Sequence, residues 1–458
     1  MCIDHNHEAL TDASLFVDPE VLRKGVERGC VWTPGEVAGV LAEMKQLRSP
    51  HVGWVGYGGV QPGQKVLIGI DRGYDPEVAE AVAGALRDKG ATVDILTLDS
   101  GADREYTPLE EIDWIIRDRP YRDHPRRWDG VPWVEELAAE QYDLLIHRKG
   151  GGTRETRFGY EQLPFLKLEH LTSGAGIFPQ DLNRAINMKT WDGIWRRGRG
   201  GKVRLTDPEG TDLTWTLHEE YYTGNRRGFV ENPVRHYGHL HGHPPAPLLS
   251  QEDCTGVVGG TTSHAGRPFP AIKLHVDGGR LEQVEGGGEY GRRWNELLEE
   301  TKDNQYPAFP RKGLFWMWEA AIGTLPWIRR PDDVHMISSG GFEWERRRSG
   351  VIHIGIGTRW NGEEEYWAAD RNMTYGHLHV HLLFPTYEIE TVDGEKFKLI
   401  ENGRLTALDD PEIREIASQY ADPDLMLKEY WIPSIPGISA PGDYRDYADN
   451  PEKYVYSL

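Results

Sequence analysis

Apolar residues in this chain follow two patterns, and the change between them falls near residue 200. In the first part, Val66-Leu67-Ile68-Gly69-Ile70 is a short continuous apolar run after a turn at Val60-Gln61-Pro62-Gly63-Gln64, which predicts a buried strand. From Pro76 to Lys89 the apolar residues Val78, Val82, Ala85 and Leu86 recur on one helical face. Pro76 suits a first helical turn and Gly90 suits the position just past a helix end. Val93-Asp94-Ile95-Leu96 follows as a strand, and Tyr142-Asp143-Leu144-Leu145-Ile146 continues the series. Strand, helix, strand in this order predicts parallel strands in a covered α/β sheet. The first 60 residues show one helical stretch, Pro34 to Leu47, and residues 103–135 are charged and Pro-rich, as a surface excursion would be.

Beyond residue 200 the period changes to two. Lys202-Val203-Arg204-Leu205-Thr206, a turn at Asp207-Pro208-Glu209-Gly210, and Leu213-Thr214-Trp215-Thr216-Leu217 predict a hairpin. Strand-like runs recur at 271–276, 351–356, 377–384 and 396–400, with a helix near 291–302. The expected architecture is therefore α/β plus α+β. Residues 1–197 form an N-terminal α/β domain with a mostly parallel sheet and an irregular extension, and residues 198–458 form a β-rich domain.

The alternation becomes chemically specific in Tyr375-Gly376-His377-Leu378-His379-Val380-His381-Leu382. Leu378, Val380 and Leu382 take one face, expected to meet the core. His377, His379 and His381 take the other, with neighbours about 6.7 Å apart along the strand. Imidazoles at that spacing can converge on one ion with bonds of about 2.1 Å; a solvated polar face is the plain alternative. Val351-Ile352-His353-Ile354-Gly355-Ile356-Gly357 repeats the logic, with His353, Gly355 and Gly357 sharing a face and the glycines leaving space on it. A single strand histidine is as readily structural as functional. His236-Tyr237-Gly238-His239-Leu240-His241-Gly242-His243-Pro244-Pro245 is expected as a loop that binds metal, accepts a proton, or is simply solvated. Among carboxylates, Glu319 sits in the aromatic run Leu314-Phe315-Trp316-Met317-Trp318-Glu319-Ala320-Ala321-Ile322. Burial there demands a partner, either a metal or an arginine such as Arg311 or Arg329. The run Glu363-Glu364-Glu365 is expected as an exposed loop.

Composition narrows the classes. The 458 residues suggest roughly two or three domains. A net charge of −21 repels phosphate backbones, so nucleic acid is not an expected partner. The sequence has no run of 18 apolar residues, and Met1-Cys2-Ile3-Asp4-His5 lacks the basic-then-apolar start of a secretory signal, so neither membrane nor export is expected. Three scattered cysteines make neither a disulfide framework nor a Cys-rich zinc site. A cytoplasmic protein whose metal ligands are His and carboxylate is the expectation.

Several segments together resemble the aminopeptidase T-like thermophilic metallopeptidases and their 2,5-dihydroxypyridine 5,6-dioxygenase-like relatives, over about residues 55–405. They are Gln61-Pro62-Gly63-Gln64-Lys65-Val66, Asp207-Pro208-Glu209-Gly210-Thr211-Asp212-Leu213-Thr214, Glu319-Ala320-Ala321-Ile322-Gly323-Thr324, Gly350 to Gly357, and His379-Val380-His381-Leu382. The resemblance implies metal ligands at Glu319, His379 and His381, with His353 on the strand that carries another. It also shows departures. His381 stands where the peptidases have Asp and Trp360 where they have Tyr; before Asp253, where their first ligand Glu lies, the chain has the His239, His241 and His243 segment and no clearly matching Glu. A two-metal peptidase site is thereby broken, while a one-metal set of two His and one carboxylate remains, as in non-haem Fe(II) oxygenases. The implied function is ring cleavage of a hydroxylated aromatic or N-heteroaromatic substrate with O₂ and Fe(II). His241, His243 and His353 are the candidate catalytic groups. The alternative is an aminopeptidase or amide hydrolase using Zn or Co; Mn is the remaining metal choice. The family commonly forms homo-oligomers, so one is expected here.

Overall fold

The computed structural model describes residues 19–44, 56–71, 74–98, 138, 140–147, 159–219, 239–241, 253–263, 266, 268–307, 309–329, 347–358 and 363–455. The charged 103–135 stretch and His243 lie outside them.

The N-terminal part opens with two helices rather than the single one expected, α1 (Pro19–Glu27) and α2 (Pro34–Glu43). Thr33 and Glu36 start α2 with reciprocal side-chain to backbone bonds, and Pro34 takes its first position. Strand β1 (Lys65–Asp71), helix α3 (Pro76–Asp88), β2 (Thr92–Leu98), β3 (Leu144–His147) and β4 (Gly159–Gln162) then build a parallel sheet in the order β2-β1-β3-β4. Val78, Ala79, Val82, Ala83 and Leu86 are the buried stripe of α3, so the 3.6-residue period and the burial agree. Helices α4 (Leu168–Thr172) and α5 (Gln180–Asp192) lead out of this region.

The chain then turns antiparallel. Strands β5 (Lys202–Asp207) and β6 (Thr211–Thr216) are the expected hairpin. Strands β7 (His239–His241), β8 (Thr255–Thr262), β9 (Pro268–Asp277) and β10 (Arg280–Gly286) precede helix α6 (Gly288–Thr301). Strands β11 (Met317–Gly323) and β12 (Ile352–Gly357), helix α7 (Glu363–Ala369), and strands β13 (His377–Leu382), β14 (Thr386–Glu390), β15 (Lys396–Glu401) and β16 (Arg404–Leu405) follow. Short helices α8 (Pro411–Ser418), α9 (Pro423–Met426), α10 (Tyr444–Asp449) and α11 (Glu452–Val455) end the described chain. One sheet has eight strands, β10-β9-β8-β6-β5-β14-β15-β16, and the other four, β13-β12-β11-β7.

These two sheets pack closely. A Cβ on Gly260 of β8 would lie 2.6 Å from Val380 Cγ1 of β13, so a side chain there would collide. The Leu378, Val380 and Leu382 face of β13 is thus spoken for by the core. The opposite face is covered as well: all six residues of β13 and all six of β12 are buried. A solvated histidine face was the plain alternative for β13; burial on both sides is what makes the histidines informative. Two expectations need correction. Glu363-Glu364-Glu365 is the first turn of a helix, with Glu364 and Glu365 buried, because α7 packs over the end of β12. His239-Leu240-His241 is a strand, because the free edge of β11 pairs its backbone. Among the described residues, no helix is long and apolar enough to cross a membrane.

Trp327 joins the parts. Its ring lies 4.9 Å from that of Trp32, between α1 and α2, and 4.8 Å edge-on from Phe178, just before α5. Its indole N–H donates to the Met426 carbonyl of α9. Trp327→Ala is expected to cost about 3–5 kcal/mol by cavity formation, measured as a shift of the urea unfolding midpoint; an unchanged midpoint contradicts this central role.

Candidate metal centre

The register of the four-stranded sheet assembles the site. Glu319 on β11 stands opposite Gly355 on β12, which stands opposite His379 on β13. One row over, Ala321 pairs His353, and His353 pairs His381. Gly357 pairs His377. Small residues therefore alternate with ligand-type ones on a single face, and a register shift between Met317 and Glu319 marks a bulge beside the carboxylate.

Gly355 is the floor. A Cβ there would lie 3.1 Å from Glu319 Oε2 and 3.2 Å from His379 Nε2. Those two atoms are 3.6 Å apart, leaning towards each other over the glycine. His377 closes the group: one ligand atom each from Glu319, His377 and His379 falls within 4.8 Å of the others, and all three residues are buried. Only small side-chain adjustments separate this from simultaneous bonding to one ion at about 2.1 Å. The donor set itself, two imidazoles and a carboxylate, suits a divalent transition metal.

His377 is held for this role. Its Nδ1 lies 3.1 Å from the Thr358 carbonyl. A carbonyl only accepts, so Nδ1 carries the proton and Nε2 has its lone pair available for a metal. Thr358 is itself fixed. Its hydroxyl accepts from the Gly376 N–H at 2.7 Å and donates to Glu365 Oε1 at 2.9 Å. Trp318 places its ring edge-on to His377 at 4.9 Å.

His353 and His381 form a different arrangement. His353 Nε2 is 3.2 Å from Glu319 Oε2, and His353 Nδ1 is 2.9 Å from His381 Nε2. The carboxylate oxygen accepts, so a neutral His353 donates through Nε2 and accepts at Nδ1. His381 must then donate through Nε2. The chain runs His381 to His353 to Glu319, and it orients the carboxylate. Neither arginine takes the part of partner: Arg329 donates to the Gly29 and Cys30 carbonyls, and Arg311 pairs with Glu282.

The structure thus brings together Glu319, His353, His377, His379 and His381. It places His241 by backbone pairing opposite Ala321, at the end of the row containing His353 and His381. His377 was absent from the ligand set suggested by resemblance, which used Glu319, His379 and His381. The signal for it was in the alternation, which puts all three histidines on one face. Glu365 and Thr358 carried no sequence signal.

No family model matches this sequence, and no curated protein matches it. Two solved structures are similar in overall course. One is the 2,5-dihydroxypyridine dioxygenase from Pseudomonas putida KT2440, at 14% identity and TM-score 0.41, covering 76% of this chain and 93% of that chain. The other is wild-type AmpT from Thermus thermophilus, at 14% identity and TM-score 0.41, covering 83% of this chain and 99% of that chain.

Two variants separate the ligand sets. His377→Ala, which removes a ligand, is expected to abolish measurable metal binding, whereas His381→Ala, which removes an outer group, is expected to retain the ion with a loss of about 10- to 100-fold. Calorimetric titration of the metal-free proteins with Zn²⁺ checks this; the reverse order would return His381 to the ligand set. Gly355→Ala is expected to abolish metal binding while the far-ultraviolet circular dichroism stays unchanged, because its methyl group occupies the space between the ligands.

Proposed function

We propose that this chain is a metal-dependent enzyme with a mononuclear centre held by Glu319, His377 and His379. The reading we favour is an Fe(II)-dependent, ring-cleaving dioxygenase acting on a hydroxylated aromatic or N-heteroaromatic, hydroxypyridine-like substrate. The observation that carries it is the buried two-histidine, one-carboxylate group around the gap above Gly355. Glu319, His377 and His379 would hold the ion, which would supply Lewis acidity and, as Fe(II), redox capacity.

The protein's own residues do the remaining work. His353 holds the Glu319 carboxylate, and His381 fixes the tautomer of His353. Thr358 fixes the tautomer of His377. His241, on the strand bordering β11, is our candidate for taking the proton of a substrate hydroxyl, as histidine can near neutral pH. His243 follows it by two residues and is the second candidate.

A hydrolase is the second reading. Two histidines and a glutamate also make catalytic zinc sites. The observation that favours it is the His381–His353–Glu319 chain, which offers a proton path beside the ligands, as activation of a water requires.

Metal analysis by plasma mass spectrometry, on protein purified without oxygen, tests the choice. The dioxygenase reading expects about one iron per chain, lost in Glu319→Ala, and O₂ uptake with a panel of hydroxypyridines and catechols. Zinc or cobalt in place of iron, one ion or two per chain, with cleavage of aminoacyl amides and no O₂ uptake, would overturn it in favour of the hydrolase.

A further inference from the structure

Away from the metal centre, the turn between β5 and β6 buries two carboxyl groups. Asp207 and Glu209 are 6% and 5% exposed. Asp207 is well served: Oδ1 accepts the Glu209 N–H at 2.8 Å and Oδ2 accepts the Phe384 N–H at 3.0 Å. Glu209 is not. Its Oε1 accepts from Thr261 Oγ1 of β8 at 2.8 Å and from the Tyr444 hydroxyl at 3.5 Å. Its Oε2 is enclosed with no hydrogen-bond partner among the described residues. A charged oxygen there is far more costly than a neutral one.

The lid over this pair is the C-terminal segment. Tyr447 of α10 is buried, with its hydroxyl 2.9 Å from Thr261 Oγ1. Thr261 gives its proton to Glu209, so Tyr447 donates to Thr261. Tyr447 and Ile435 also pack with Val351 and Leu383, which flank β12 and β13. The segment is therefore fastened at two levels, by apolar contact and through the carboxyl pair.

We propose that the Asp207–Glu209 pair is a proton-operated latch for the C-terminal segment 431–455: it holds while the pair keeps a proton and loosens when that proton leaves. Among the described residues, these groups face it. Tyr444 and Tyr447 come from α10, with Tyr454 of α11 against Tyr447. Asp443 caps the start of α10, and Asp446 bonds the Tyr454 hydroxyl. On β9, Lys273 Cε would be 3.9 Å from a Cβ on Gly210. Arg348 is spent on the Leu383 carbonyl at 2.7 Å. Burial, and then the neighbouring Asp207 charge, push the Glu209 carboxyl up to about 8. Burial raises Asp207 to about 6.

The sign follows from linkage. With the segment docked, Glu209 keeps its proton up to about pH 8; with the segment away, it titrates in the ordinary range near 4.5. The docked form binds the extra proton between these values, so docking weakens as pH rises through that window and levels off above it.

Hydrogen–deuterium exchange on the full chain tests this. Protection factors of residues 444–455, corrected for intrinsic exchange, are expected to fall at least tenfold between about pH 6 and 8 and then level; one proton allows at most roughly tenfold per pH unit. Glu209→Gln, which has no proton to lose, is expected to flatten the profile. A flat wild-type profile overturns the latch, as does an unchanged slope in Glu209→Gln. If that variant does not fold, the wild-type slope read against the amides of β1 and β3 decides: a fall shared by those strands is general loosening and overturns it, and a fall confined to the segment supports it.

Discussion

Burying a carboxylate in the middle of an apolar strand is unfavourable by several kcal/mol unless fixed partners replace its water. In this chain Glu319 occupies that position, and its partners are imidazoles from two further strands. The requirement dictates much around it. Three strands must run antiparallel in one register, so that Glu319, Gly355 and His379 share a row. The residue between the ligands must have no side chain. The opposite face must be wholly apolar to anchor the sheet on its neighbour, and Ile352, Ile354, Ile356, Leu378, Val380 and Leu382 are all buried.

The supporting groups extend this logic outward. His377 and His353 are each oriented through Nδ1: His377 donates there to the Thr358 carbonyl, and His353 accepts there from His381. Helix α7 then fixes the carbonyl's residue through Glu365. Such layers set tautomer and ring orientation before any ion arrives, which lowers the ordering cost of binding. The Asp207–Glu209 turn solves a similar burial problem differently, with hydroxyls and a retained proton in place of opposite charge.

Regular elements were legible wherever burial was periodic. The β-α-β unit at 65–98, the β5–β6 hairpin and strands β12 and β13 follow directly from their apolar patterns. Misreadings arose where an element owes its form to a distant partner. Flanking glycines and prolines made residues 236–245 look like a loop, yet His239–His241 is a strand because the edge of β11 has backbone groups to satisfy. Three consecutive glutamates looked like a solvated surface, but successive helix positions point about 100° apart. The helix turns Glu364 and Glu365 inward and leaves Glu363 exposed, and Thr358 receives Glu365.

By itself the sequence determined which residues share a face, because a period of two is a property of the strand alone: His377, His379 and His381 together, and His353 with Gly355 and Gly357. It also determined that Glu319 would need a partner, because its neighbours are apolar. Tertiary structure decided which histidines those partners were. Alternation puts three on one face, and only the lateral register of β11, β12 and β13 brings His379 and His377 to the carboxylate while pairing His381 with His353. Register is fixed by contacts between strands far apart in the chain, and no local pattern encodes it.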